Sequence, residues 1–125
     1  MAASFADPAA SDLARIDVVA HGSSVRLLVT GEIDSSTAPA LGRGIDDVLA
    51  GAPGSLTVDL CGVSFLDSAG LSVLASAHRL AREAGVALRV LAASRAVVRP
   101  LQITGLWQLL GAEQVLPGAP VEGVA

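Results

Sequence analysis

Apolar and polar positions along the chain alternate between a strand-like and a helix-like spacing. Ile16, Val18 and Val19 mark a first apolar stretch over Arg15 to Ala20. A second runs from Val25 to Thr30, after the turn residues His21-Gly22-Ser23-Ser24. Two such stretches around a short turn predict a β-hairpin. Gly31-Glu32-Ile33-Asp34 ends the second strand, and Gly31 permits a backbone bend. From about Thr37 to Ala50, Leu41, Ile45, Val48 and Leu49 recur at helical spacing. Asp34, Ser35 or Ser36 can cap this helix, and Pro39 falls in its first turn, where proline is tolerated. Over Ser55 to Leu60 the spacing returns to two: Leu56, Val58 and Leu60 alternate with Thr57 and Asp59. This most apolar strand is expected at the centre of the sheet.

The longest helical pattern follows. Val63, Phe65 and Leu66 lead into Asp67-Ser68, two residue types that favour helix starts. Only Gly70 interrupts the helix-forming run from Ala69 to Ala84, and Gly85 is a natural stop. Ser68, Ser72, Ser76, Arg79 and Glu83 are spaced by four, four, three and four, the solvent face of a 3.6-residue repeat. Leu71, Val73, Leu74, Ala77, Leu80 and Ala81 form the rest. Val86 to Leu91 predicts a fourth strand. Ser94 can cap a short helix from Arg95, although Pro100 removes a donor and makes regularity hard to sustain. After Gly105, Leu106, Trp107, Leu109 and Leu110 read as a packed turn, and Glu113 to Leu116 as a last short strand. The order is β-β-α-β-α-β-α-β. It predicts a single α/β domain: a mixed, mostly parallel sheet with helices packed against it. Residues 1–12 and 117–125 read as loose tails around a domain spanning 13–116.

Composition narrows the function classes. The chain has 125 residues, enough for one domain with a core. No apolar run reaches a membrane span, and the first residues lack a secretory signal's basic start and long apolar core. A single cysteine, Cys61, cannot form an internal disulfide, which fits a reducing cytoplasm. Cys61 is expected as buried filler. The net charge is −4, the basic residues are scattered arginines, and aromatics are 2% of the chain. Nucleic acid is not an expected partner.

Candidate chemistry is sparse. His21 reads as a solvated turn residue, and neither it nor His78 has a cysteine or carboxylate at metal-ligand spacing. No glycine-rich phosphate loop and no Gly-x-Ser-x-Gly elbow is present. His78 lies ten positions after Ser68 on one helix, about 15 Å along its axis, too far to serve as a base. An enzyme is not expected, and no cofactor is implied. Ser68 stands out by position, at the start of the exposed stripe and near the positive end of a helix dipole. By residue type alone it reads as an N-cap worth about 1 kcal/mol.

Phe65-Leu66-Asp67-Ser68-Ala69-Gly70-Leu71 resembles the signature of the STAS domain family, especially the bacterial anti-sigma factor antagonists. Those proteins carry Asp-Ser-(small or hydroxyl)-Gly-Leu between a central strand and the next helix. Thr30-Gly31-Glu32-Ile33-Asp34 resembles the family's Gly-Glu-(Leu/Ile)-Asp turn, and Thr104-Gly105-Leu106 its late Ser/Thr-Gly-Leu. The resemblance covers roughly residues 15 to 116. It implies that Ser68 accepts phosphate, and that Asp34, Asp67, Ser68, Ala69, Gly70 and Ser72 meet a partner. That partner is an anti-sigma factor, itself a serine kinase using ATP and Mg²⁺, and a phosphatase resets the switch. Asp34 reads equally as a cap, and both roles can hold. Ser72 is a competing acceptor one turn later. STAS domains also serve as non-switching assembly modules in stress-signalling or lipid-transport complexes; the intact Asp-Ser motif favours the switch without excluding that reading.

Overall fold

The computed structural model describes residues 14–116, so the two predicted tails lie outside the described residues. Strands β1 (Ala14–His21) and β2 (Ser24–Ile33) form the predicted hairpin, closed by Gly22 at φ +62°. Then come α1 (Ala38–Ala50), β3 (Ser55–Leu66), α2 (Ser68–Ala84), β4 (Ala87–Ala92), α3 (Arg95–Ile103), α4 (Leu106–Leu110) and β5 (Glu113–Gln114). The sheet order is β1-β2-β3-β4-β5, with β1 antiparallel to β2 and the remaining pairs parallel. The central place predicted for β3 is therefore observed.

Strand β3 is longer than predicted, running to Leu66 rather than Leu60. Its buried apolar residues are Leu56, Val58 and Leu60, then Val63, then Leu66. The spacing of two becomes three, twice. The pairing with β2 shifts register at the same places, between Leu28 and Thr30 and between Gly31 and Glu32. Each bulge adds one residue to β3 and restores the inward direction. An alternation count cannot see through such insertions.

The three crossovers, through α1, through α2 and through α3–α4, all step the same way along the sheet. Right-handed crossovers then place every helix on one face. One core cluster joins Leu27, Ile45, Val58, Leu74, Val90 and Leu101 there. Among the described residues no helix covers the opposite face. That face carries the ion pairs Arg26–Asp59 and Arg89–Glu113. Cys61 sits on it, half-buried, rather than in the core as expected. Asp59 Oδ1 accepts its N–H at 3.0 Å, and burial beside that carboxylate pushes the thiol up to about 12.

Near the C-terminus, α3 continues through Pro100. The carbonyl that Pro100 leaves without a donor belongs to Ala96, which is exposed and open to water. Ser94 precedes α3, but its hydroxyl donates to Val63 O at 3.2 Å instead of capping the helix. The packed turn after Gly105 is the one-turn helix α4, and the last strand is only two residues long.

Candidate functional site

The site lies where β2 and β3 end side by side. Ile33 pairs with Leu66, and Asp67 N–H donates to Ile33 O at 3.1 Å. Asp34 and Asp67 are thus neighbours at the carboxyl edge of the parallel strands. Each aspartate organises the turn that follows it.

Asp67 is the N-cap of α2. Its Oδ1 accepts from Ala69 N–H at 2.8 Å and Gly70 N–H at 3.3 Å. The capping role open to Ser68 therefore belongs to Asp67. Ser68 is the first residue inside the helix, exposed, and its hydroxyl has no hydrogen-bond partner among the described residues. Asp67 thus already takes the two first-turn amides beside Ser68. A dianion there would stand beside a carboxylate that already uses them.

Asp34 tightens the β2–α1 turn. Its Oδ1 accepts from Ser36 Oγ at 2.7 Å, Ser36 N–H at 2.9 Å and Thr37 N–H at 3.2 Å. The Ser36 hydroxyl, then the Ser36 and Thr37 amides, hold the Asp34 carboxyl below its ordinary 3.8. Buried Thr37 locks the turn from beneath, accepting Asp34 N–H at 2.9 Å and donating to Glu32 O at 2.7 Å. Asp34 is half-buried, with one edge left to solvent.

Gly70, one of the residues expected to meet a partner, is buried. A Cβ there would collide with Leu66 Cδ1 and stand 2.8 Å from Ile33 Cγ2. Glycine is required so that the first turn of α2 can close onto the ends of β2 and β3. Ala69 is half-buried; Ser72, Ser76, Arg79 and Glu83 are exposed along the predicted stripe. Arg79 and Glu83 form an ion pair at 3.5 Å.

Phe65 is a residue whose place the sequence pattern hid. It pairs in register with Glu32, two positions before Asp67, and is 47% exposed. The second bulge turns it out of the core. His21 lies at the hairpin end of β1, at the opposite edge of the sheet. Among the described residues, no group of three His, Cys, Asp or Glu side chains is placed to hold a metal ion. None of the described helices is long and apolar enough to cross a membrane.

This architecture recurs in known proteins. The sequence model of the family described as "Mlab, STAS domain" matches residues 16–111. Over 97 residues the chain is 36% identical to the anti-sigma-F factor antagonist RsfB of Mycobacterium tuberculosis, covering 78% of this chain and 79% of that protein. It is 30% identical over 95 residues to the anti-sigma-B factor antagonist of Bacillus subtilis, covering 76% and 86%. The crystal structure of an anti-sigma factor antagonist from Mycobacterium paratuberculosis superposes with a TM-score of 0.74. It is 37% identical and covers 81% of this chain and 86% of that one. A two-layer mixed sheet, an Asp-capped central helix opening on an exposed serine, and a match over most of the length place this chain in the STAS domain family.

Proposed function

We propose that this protein is an anti-sigma factor antagonist, a binding protein rather than an enzyme, acting in the cytoplasm and switched off by phosphorylation of Ser68. The observation that carries this reading is the free, exposed Ser68 hydroxyl directly after its own helix cap. It is supported by relatives at 30% identity and above named as anti-sigma factor antagonists. The binding surface comprises Asp34, Asp67, Ser68, Ala69 and Ser72, with Gly70 beneath it.

In the unphosphorylated state the neutral hydroxyl packs against an anti-sigma factor and the sigma factor is released. The anti-sigma factor acts as a serine kinase. The γ-phosphoryl group of ATP passes to Ser68 Oγ, the bond to the β-phosphate oxygen of ATP breaks, and the hydroxyl proton leaves to solvent. This adds about −1.5 to −2 charges at pH 7. The new charge stands beside Asp67, whose Oδ1 already takes the nearest amides, and across from Asp34. Repulsion and desolvation of a few kcal/mol lower the affinity by orders of magnitude. A phosphatase restores the hydroxyl. No backbone movement is needed.

The test uses the cognate anti-sigma factor with ATP and Mg²⁺, read by intact mass and by binding. Ser68→Ala is expected to bind without gaining phosphate, and Ser68→Asp to bind at least tenfold more weakly. Stoichiometric phosphorylation of Ser68→Ala would move the acceptor elsewhere, Ser72 being next on the same face. Binding unaffected by Ser68→Asp, with no phosphate on the wild type, would point to the non-switching assembly module instead.

A further inference from the structure

The two edges of the sheet differ. β5 ends one edge after two residues, too short to template another strand. Among the described residues, β1 ends the other with eight residues in unbroken register, from Ala14 opposite Gly31 to His21 opposite Ser24. It has no bulge, proline or lysine, and the two charges it carries, Arg15 and Asp17, are of opposite sign. Val18 and Val19, which point to opposite faces, are 58% and 44% exposed.

The hairpin fixes which backbone groups are free. His21 and Ser24 close a two-residue turn and form a hydrogen-bonded pair, so the pairs alternate back along the ladder. The odd-numbered residues of β1 bond to β2. The N–H and C=O groups of Ala14, Ile16, Val18 and Ala20 point outward. Arg15 and Asp17 lie on one face, two residues apart, with their side chains 3.1 Å from each other.

We infer that β1 is a self-association edge, and that its occupant is β1 of a second copy, paired antiparallel about a two-fold axis at Ile16. The charges select this register. With Ile16 opposite its own copy, Arg15 faces the second copy's Asp17, and Asp17 faces its Arg15. Shifting the axis to Asp17 would set the two Asp17 carboxylates against each other, which is destabilising for directly opposed like charges. Placing it at Ile16 also lets the outward groups of Ala14, Ile16 and Val18 meet their counterparts. The product is a continuous ten-stranded sheet. The carboxyl edges of its halves point in opposite directions, so both Ser68 sites stay open.

Sedimentation velocity on the full chain, from micromolar to roughly half-millimolar, tests this without any partner protein, so its outcome is separate from that of the Ser68 switch. The wild type is expected to move from 12.5 kDa toward twice that mass as concentration rises. Arg15→Asp alone should raise the dissociation constant about tenfold or more, because it opposes carboxylates at two symmetric places. Adding Asp17→Arg should restore association. Val18→Pro removes an outward N–H that β2 does not use, so it should abolish the dimer while the far-UV circular dichroism stays native. A wild type that stays monomeric throughout overturns the inference. So does a dimer indifferent to Arg15→Asp, or a folded charge-swapped variant that does not re-associate.

Discussion

Substituting Gly70 with alanine tests how α2 is seated. The added Cβ would overlap Leu66 Cδ1 and lie 2.8 Å from Ile33 Cγ2, with Leu66 Cγ at 3.4 Å. Ile33 is 0% and Leu66 4% exposed, so neither can move into open space. Overpacking of this kind costs about 1–3 kcal/mol. Alanine in place of glycine returns up to about 1 kcal/mol of helix propensity, less in a first turn. The net effect is a loss of about 1–2 kcal/mol, a fall of roughly 5–15 °C in melting temperature for a domain of this size. Gly42 in α1 supplies the control. A Cβ there meets only the Val73 methyls at 3.9 Å, so Gly42→Ala should stabilise by about 0.5–1 kcal/mol. Thermal unfolding followed by far-UV circular dichroism reads both. A Gly70→Ala protein melting at or above the wild type would refute the close seating of the helix on Ile33 and Leu66.

Three further outcomes follow from the same geometry. Asp67→Ala should lose about 1 kcal/mol in urea unfolding while Asp67→Asn keeps most of it, since either side-chain oxygen can accept from the first-turn amides. Asp34 is held below 3.8, so its contribution to stability is complete above that value and is lost as pH falls through the lowered folded-state value. The advantage of the wild type over Asp34→Asn should therefore be constant near neutrality and shrink below pH 3.8 in acid titrations. Cys61, pushed up to about 12, stays a thiol at mildly basic pH. It should react with a disulfide reagent far more slowly in the native protein than after denaturation, and equal rates would remove the effect of burial and of Asp59.

The parts of the fold legible in the sequence are those governed by local periodicity. The polar stripe from Ser68 to Glu83 emerges on the exposed face of α2, because helical spacing depends only on neighbours three and four apart. The hairpin and the stop at Gly85, with φ +72°, were likewise visible as residue types with fixed backbone preferences, whereas the cap expected from Asp34, Ser35 or Ser36 falls on Thr37, which makes no side-chain cap bond. The far half of β3 was not. Two inserted residues break the alternation, and the register that makes them bulges exists only once β2 lies alongside. The same insertions turn Phe65 outward.

The sequence alone determined that a serine would open the central helix and that strands and helices would alternate into a mostly parallel sheet, since both are short-range properties of residue spacing. Tertiary structure decided which of two adjacent residues caps that helix, leaving Asp67 bonded and the Ser68 hydroxyl free. It also decided that Gly70 packs against Ile33 and Leu66, that Asp34 stands beside Asp67, and that among the described residues one sheet face and one long edge stay open. These depend on which strands become neighbours, a pairing of residues more than thirty positions apart that no local pattern encodes.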